Sequence, residues 1–404
     1  MDLPRPADVG TRNWIDPPQN RWAFRHVREL TRTARIWRGP GPARHVDTDW
    51  RDLGGLRFHH LGRTWTIDEM LAATHTDALV VLHRGRLVYE QYLDGMSPHD
   101  THLLMSVSKS LCATLVGIYV DRGLIRLDAT VPDHIAELRG TSWEGCTVQH
   151  LLDMRAGTRF DEDDYDDPHS YGRLIEEISG YVPRTRDDLP ADTAAVIRIL
   201  DNAGPHGGPF VYRSILTDVL GWIVEEVSGE RFHEVFGREI WSRIGAEHDA
   251  DVIVDAGGMA LVEGGICTTA RDLARFGQMH LDRGRVGDDQ VVPEWWVDRV
   301  RRPDAELVEA FMAYATGPIA EAFPHAHYHD TWWVLDASAG IYAGRGINGQ
   351  TLLVHHPSQT VVVKFSVWPD RLVLDTVDLT ENFTTTVWLG WCTSRVWPLM
   401  PRPA

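Results

Sequence analysis

Strand-like segments stand near both ends of this chain, and a long helical stretch separates them. Toward the start, 78–83 and 86–90 are typical of two strands joined by a two-residue turn. Toward the end, 351–354 and 360–365 show the same pattern, whereas 190–246 spaces its apolar residues as helices do. Strands this far apart imply one sheet assembled from N- and C-terminal parts, with helices inserted between them.

The predicted fold class is α/β (α+β), with an antiparallel sheet flanked by helices. Its discontinuous α/β domain takes in 1–145 and 247–404, of which 1–75 forms an N-terminal arm rich in Pro, Arg and Trp. A mostly helical domain, 146–246, is inserted. An amphipathic helix, 378–397, is expected to close the chain. A chain of 404 residues is long enough to bury a large core.

The formal net charge of −18 argues against nucleic acid and anionic membranes as partners. The first eight residues lack the apolar segment of a secretory signal, and no apolar run approaches the length of a membrane span. We therefore expect a cytoplasmic protein that acts on a small molecule. The sequence leaves open whether it is a monomer or a homodimer.

Lys109 is one of only two lysines in the chain, and it stands three residues after Ser106 at the start of an apolar, helix-like run. Residues three apart share a helix face, so the amine is expected beside the hydroxyl. A desolvated lysine can give up its proton and act as the base for a serine nucleophile, which arginine cannot do. We predict that Ser106 is the nucleophile and that an unprotonated Lys109 is its base. The alternative is an ordinary helix start with Lys109 in solvent.

A second pattern, Tyr212-Arg213-Ser214, follows about a hundred residues later at the start of a predicted helix. A tyrosine beside a lysine can carry a proton to a leaving group. A glycine-rich segment with Gly344 and Gly346 comes still later and leads into the C-terminal strands. This order of S-x-x-K, Y-x-S and glycine-rich strand resembles that of class C serine β-lactamases, DD-peptidases and related esterases.

The resemblance narrows to the 6-aminohexanoate-dimer hydrolases, which have a β-lactamase fold and cleave linear amides or carboxylic esters. The segments that carry it extend over most of the chain: 20–24, 103–112, 217–225, 269–275 and 346–350. It implies a serine hydrolase that forms an acyl-enzyme at Ser106 on a small amide or ester, with no metal and no other cofactor.

The same resemblance assigns the remaining roles. Tyr212 would relay a proton to the leaving amine, and the backbone N–H groups of Ser106 and Ile347 would form the oxyanion hole. Arg345 stands near the place of the K-T-G lysine of β-lactamases, so we expect poor turnover of β-lactams. The residues predicted to contact the substrate are Tyr165, Glu176, Ser214, Glu263, Trp332, Arg345 and Gly346.

Histidines alternate in the segment 325–330, and alternate residues of a strand share a face. A zinc site would need a further ligand at defined spacing, and none is evident. We predict that these histidines border the substrate cleft beside Trp332 and Trp333. Six acidic residues crowd into 161–167, and a solvated loop is the expectation there.

The acidic chain and the positions of Glu176 and Glu263 favour a substrate or acyl acceptor that carries a primary amine, because a partly desolvated carboxylate prefers an ammonium partner. Two alternatives to a hydrolase stay open. A transacylase would pass the same acyl group to an amine and make an amide. A non-catalytic binding protein is also compatible with the fold, although the intact Ser106, Lys109 and Tyr212 argue against it.

Overall fold

The computed structural model describes residues 5–53, 56–60, 62–162, 167, 169–302, 304–314 and 325–370. The strands in these ranges are β1 (Thr33–Ile36), β2 (Arg57–His60), β3 (Arg63–Thr66), β4 (Thr76–His83), β5 (Arg86–Tyr92), β6 (His102–Leu103), β7 (Ala250–Ile253), β8 (Ile266–Thr268), β9 (Arg285–Val286), β10 (Asp289–Gln290), β11 (His327–His329), β12 (Trp332–Asp336), β13 (Ile341–Gly346), β14 (Gln350–His355) and β15 (Thr360–Ser366).

The helices are α1 (Asn20–Ala23), α2 (Ile67–Ala73), α3 (Val107–Asp121), α4 (Val131–His134), α5 (Val148–Leu152), α6 (Tyr171–Ser179), α7 (Thr193–Ile199), α8 (Ile215–Ser228), α9 (Phe232–Phe236), α10 (Ala270–Leu281), α11 (Glu294–Val300) and α12 (Ala305–Met312). A π-helical turn, Gly237–Trp241, extends α9. Between 146 and 246 the regular elements of the described residues are helical, α5 to α9 with the π-helical turn, and an inserted domain with these bounds stays a prediction.

Seven antiparallel strands form the main sheet in the order β11-β12-β13-β14-β15-β4-β5. The N-terminal strand β4 pairs with the C-terminal strand β15, with Thr360 opposite His83. This pairing confirms that one sheet is built from both parts of the chain. The predicted turn between β4 and β5 is present at Arg84–Gly85, where both residues have positive φ.

Helices cover both faces of this sheet, because alternate side chains of each strand point to opposite sides. On β4, Val80 and Leu82 join the large core that contains α3 and α10, whereas Leu79 and Val81 pack against α2. Each such buried side chain contributes about 1.5–3 kcal/mol. The packing presses α3 against β13: a side-chain carbon added at Gly344 would lie 3.2 Å from Ser110 Oγ.

The N-terminal arm is more ordered than its weak periodicity predicts. Its strand β1 pairs with β7 in a second, four-stranded sheet of order β1-β7-β8-β6. Trp14 is fully buried, stacks on Tyr181 with ring centroids 5.4 Å apart, and donates a hydrogen bond to the Tyr181 carbonyl. The arm therefore packs beside the cleft that Ile15 helps to line.

Two predictions lie outside the described residues: the closing helix 378–397 and the substrate contact at Tyr165. Across the part of the chain that is described, every helix is too short or too polar to cross a bilayer.

Candidate active site

Ser106 and Lys109 meet at the start of α3. Met105, with a φ of 47°, turns the chain sharply just before Ser106. The Lys109 amine lies 2.9 Å from Ser106 Oγ and 2.6 Å from the Glu263 carbonyl oxygen, and its side chain is completely buried. The alternative of a solvated lysine at an ordinary helix start is therefore wrong.

The protonation of Lys109 differs from the expectation of a neutral amine. Burial lowers the pKa of Lys109, but Tyr212, Glu263 and Glu162 raise it and together outweigh burial, so the pKa lies above its usual value. The Glu263 carboxylate, 3.4 Å from the amine, is the ion-pair partner. The amine of Lys109 is therefore protonated in the resting site, because its interactions with these neighbours stabilise the ammonium more than burial destabilises it.

Tyr212 completes the group from the segment just before α8. Burial raises the pKa of Tyr212, whereas Lys109 and Ser106, which donate toward its phenol oxygen, lower it. The ring lies 5.1 Å from the Lys109 amine and stacks on Trp333, with centroids 5.6 Å apart. Tyr212 is thus a neutral phenol that touches both other members of the predicted catalytic set.

The end of β13 approaches the backbone at Ser106 so closely that only glycine fits. A side-chain carbon at Gly346 would lie 2.6 Å from the Leu104 carbonyl oxygen and 3.0 Å from the Ser106 nitrogen. The next residue, Ile347, lines the cleft. This contact brings together the two segments predicted to form the oxyanion hole, whose N–H donors stay a prediction.

The three segments line a cleft that is open to solvent at its mouth. Besides Ser106 and Tyr212, it is lined by three carboxylate side chains, those of Glu162, Glu176 and Glu263. The apolar residues Ile15, Phe160 and Ile175 also line it. The cleft is thus a partly desolvated, acidic site next to a nucleophile.

Glu162 is the site residue that sequence reasoning missed. It belongs to the acidic run for which a solvated loop is expected, yet its carboxylate accepts hydrogen bonds from Ser214 N–H at 2.9 Å and Ser214 Oγ at 3.0 Å. Burial raises its pKa to about 7, against the lowering effect of Lys109. The spacing of the six acidic residues in 161–167 does not distinguish Glu162, whose side chain lies in the cleft, from the others.

Glu176 and Ser214 line the cleft, and Gly346 lies against the backbone of Ser106. Glu176 is only 6% exposed and pairs with Arg173 at 3.6 Å. Glu263 is also at the cleft, but it faces Lys109 as well as the cavity. Substrate contact by these residues stays a prediction.

Two predicted contacts are not in the cleft. Trp332 is fully buried beneath the sheet, 4.8 Å from the His280 ring and 5.1 Å from the Tyr342 ring, because its side chain points to the opposite face from that of Trp333. That prediction for Trp332 is wrong. Arg345 lies over the Trp333 ring at 5.9 Å, one ring removed from Tyr212, and is absent from the cleft lining.

The histidine-rich segment does not border the cleft either. His329 and Asp330 join Asp153 in a buried cluster whose ligand atoms lie within 4.8 Å of one another. Arg299 Nε forms an ion pair with the Asp330 carboxylate at 2.6 Å, and His329 Nδ1 lies 2.8 Å from the Asp153 carboxylate. Burial lowers the pKa of His329, but Asp330 and Asp153 raise it to about 9. Each carboxylate of the cluster is thus paired with a cation, Asp330 with Arg299 and Asp153 with His329.

Comparisons with known proteins identify the family of the chain. The Beta-lactamase family model matches residues 66–363. The 6-aminohexanoate-dimer hydrolase of Paenarthrobacter ureafaciens is 38% identical over 358 residues, which cover 89% of this chain and 88% of that protein.

Among solved structures, a Bacillus anthracis protein assigned as a 6-aminohexanoate-dimer hydrolase superposes with a TM-score of 0.86 at 26% identity, over 96% of this chain and 99% of that one. A penicillin-binding protein homologue from Pyrococcus abyssi shares the fold, with a TM-score of 0.59 at 18% identity over 80% of this chain and 76% of that one. The resemblance seen in the sequence is thus confirmed, and the chain belongs to the beta-lactamase family.

Proposed function

We propose that the protein is a serine hydrolase that cleaves a linear amide or ester through an acyl-enzyme at Ser106. The observation that carries the proposal is a buried lysine amine 2.9 Å from the Ser106 hydroxyl and 5.1 Å from the ring of the partly buried Tyr212, whose pKa both Ser106 and Lys109 lower. A nucleophile, a base and a proton donor within hydrogen-bonding reach are what acyl transfer requires.

In the proposed mechanism, a neutral Lys109 takes the Ser106 proton as Oγ attacks the carbonyl carbon. The tetrahedral intermediate collapses, the bond to the leaving group breaks, and Tyr212 gives its proton to the departing nitrogen. Lys109 then returns a proton to Tyr212. Water attacks the acyl-enzyme with the same groups acting in reverse, and the acid is released.

Lys109 must lose its resting proton before this cycle starts, and an amine-bearing substrate would cause that loss. An ammonium bound at the cleft carboxylates offsets the charge that raises the Lys109 pKa and adds a like charge nearby. At an effective dielectric of 20, a pair about 4 Å apart gains about 4 kcal/mol before desolvation. The three cleft glutamates therefore favour substrates that bring a positive charge.

The relatives named 6-aminohexanoate-dimer hydrolases point to a concrete probe. A linear dimer of 6-aminohexanoate carries one amide bond and one ammonium group, the two features that the cleft favours. We propose amine-bearing linear amides and esters as the substrate class.

The first experiment treats the protein with a fluorophosphonate and measures its intact mass. Labelling is expected at Ser106, with one phosphonyl group added per chain, and Ser106→Ala should abolish it. Ser366→Ala is the matched control, because Ser366 also accepts a hydrogen bond from a buried lysine but lies away from the cleft. Full labelling of the Ser106→Ala protein would refute the acyl-enzyme.

A second experiment tests the amine preference with two adjacent glutamates of α6. Glu176 lines the cleft, whereas Glu177 is bound to Thr185 and is absent from the lining. Glu176→Gln should raise KM for an amine-bearing substrate and leave a neutral p-nitrophenyl ester unchanged, and Glu177→Gln should alter neither. An equal response of both substrates to Glu176→Gln would exclude recognition of the amine there. Glu263→Gln is less informative, because it also changes Lys109.

Product analysis in the presence of an ester and a free amine separates hydrolysis from acyl transfer. We expect the acid as the main product, since the cleft is open to solvent at its mouth. Amide as the dominant product would replace the hydrolase by a transacylase with the same Ser106 intermediate.

A further inference from the structure

The turn between β11 and β12 has an unusual residue. Asp330 and Thr331 both have positive φ, 47° and 62°. Four other pairs of successive residues in the described chain also have positive φ, and the second member of each is glycine: Arg84–Gly85, Asp94–Gly95, Arg283–Gly284 and Asn348–Gly349. A residue branched at Cβ is a true outlier in this conformation. Such strain persists only where contacts enforce it, and it gathers at functional sites.

Thr331 uses all three of its polar groups on neighbouring elements. Its N–H donates to the Leu152 carbonyl at the end of α5, at 2.9 Å. Its hydroxyl donates to the Lys109 carbonyl at 2.9 Å, and its own carbonyl accepts a hydrogen bond from Ser110 Oγ at 2.9 Å. The residue is 1% exposed. Thr331 therefore binds the first turn of α3 at the two residues that include the catalytic lysine.

The adjoining residue is held just as firmly. The Asp330 carboxylate receives Arg299 Nε at 2.6 Å, and the Asp330 N–H donates to Asp153 at 3.2 Å. His329 lies between Asp153 and Asp330. This buried cluster keeps the turn in place, so that the strain at Thr331 is not relieved by movement of the hairpin.

We propose that Thr331 is a positioning residue for Lys109, and that its strained conformation is retained because its hydroxyl fixes the backbone that carries the amine. The inference rests on the proposed acyl-enzyme at Ser106. Glycine would suit the turn better but has no hydroxyl to offer. A displacement of reacting groups by about 1 Å is enough to cost a factor of about a hundred in rate.

The experiment measures the rate of fluorophosphonate labelling, together with kcat and KM for a neutral p-nitrophenyl ester, in three variants at this position. Thr331→Val keeps the branched shape and the strain but removes the hydroxyl. Thr331→Ser keeps the hydroxyl, and Thr331→Gly removes both strain and hydroxyl. Thr74→Val is the matched control, because Thr74 is a fully buried threonine whose hydroxyl binds the Met70 carbonyl beside α2.

Thr331→Val should slow labelling and kcat about tenfold or more with little change in KM, and Thr331→Ser should restore the rate to within about threefold. Thr331→Gly should be labelled as slowly as Thr331→Val, but its unfolding temperature should be no lower than that of the wild-type protein. The glycine variant therefore keeps the test decisive if the valine variant folds poorly. Thr74→Val should label at the wild-type rate.

Wild-type labelling rates in Thr331→Val or Thr331→Gly, or equal losses in the valine and serine variants, would overturn the inference. The proposed function fails separately, if the wild-type protein is not labelled at Ser106.

Discussion

The chain's two lysines are both buried, and each donates a hydrogen bond to a serine hydroxyl: Lys109 to Ser106 and Lys364 to Ser366. Their titration is opposite. Burial lowers the pKa of Lys364 to about 7. At Lys109 burial acts in the same direction, but the surrounding acidic groups outweigh it and raise the pKa. The same pairing of lysine with serine therefore holds an amine that titrates near neutral pH at one site and an ammonium at the other.

The difference teaches that desolvation alone does not identify a catalytic base. Lys364 has the pKa expected of a base, yet it lies on β15 away from the cleft, and Asp77 is the one acidic group that raises its pKa. Lys109 has the geometry of a base and the wrong resting charge. Geometry comes first in assigning a proton acceptor, because a bound ligand can change a pKa but cannot move a distant amine.

Replacement of each lysine in turn gives the largest predicted contrast. Lys109→Met should lower kcat/KM about a thousandfold or more, because the nucleophile loses its proton acceptor. Lys109→Arg should be nearly as damaging, since arginine keeps the charge but does not release a proton. Lys364→Met should stay within about tenfold of wild type. Steady-state kinetics on one ester measure all three.

A large loss of activity in Lys364→Met would show that both lysines are needed for activity and would contradict the contrast between them. Retained activity in Lys109→Arg would show that Lys109 acts only as a positive charge.

The next contrast concerns the aromatic ring beside each amine. Lys109 lies 5.1 Å from the ring of Tyr212, and Lys364 lies 5.8 Å from that of Trp368. Tyr212→Phe keeps the ring and removes only the proton donor, so amide cleavage should fall about a hundredfold. An activated ester, whose leaving group needs no proton, should lose far less. Equal losses on both substrates would assign Tyr212 to packing alone.

The pH dependence sharpens the contrast in charge. Activity should rise with pH as Lys109 loses its proton. For an amine-bearing substrate, the acid limb of kcat should lie about one pH unit or more below the acid limb of kcat for a neutral ester of the same length, because the bound ammonium lowers the Lys109 pKa in the complex. The neutral ester is the control, since it brings no positive charge. Coincident acid limbs for the two substrates would remove the ammonium as the trigger.

The smallest effect is one of stability. The folded pKa of Lys364 lies below the usual value of 10.5, so between about pH 7 and 10.5 the unfolded chain binds more protons at this group and stability rises with pH. Lys364→Met should remove a slope of up to about 1.4 kcal/mol per pH unit from the free energy of unfolding. Urea unfolding at pH 7 and pH 9 measures this, with Lys109→Met as the comparison. An unchanged slope would mean that Lys364 is not neutralised on folding.

Local signals in the sequence were enough for much of the fold. The turn at Arg84–Gly85 is marked by its glycine, which tolerates positive φ. Thr269, whose side chain accepts a hydrogen bond from the Asp272 N–H at the start of α10, is of a residue type that caps helices. The N-terminal arm was not predictable in the same way, because contacts such as that of Trp14 with Tyr181 join segments 167 residues apart and leave no periodicity. The turn at Asp330–Thr331 was not predicted, because both residues have positive φ and neither is the glycine that such a turn favours.

The site divides along the same line. Ser106 and Lys109 lie together at the start of α3, and Tyr212 stands just before α8, and a short motif marks each of the two places. Glu162 was missed because its role depends on a fold-dependent contact with Ser214 rather than on its own neighbours in sequence. The charge of Lys109 could not be predicted from the sequence either, because it depends in part on Glu263, which lies 154 residues further along the chain.

The pairing of β4 with β15 has a consequence for synthesis of the chain. His83 and Thr360 are 277 residues apart, so a ribosome adding about 5–20 residues per second needs roughly 15–55 s to supply the partner of β4. During that interval the apolar edge of β4 is unpaired, and an unpaired edge strand is a template for aggregation. The hairpin β4–β5 therefore has to be shielded while the rest of the chain is made. In a chain whose synthesis ends before β15, the edge of β4 stays permanently unpaired.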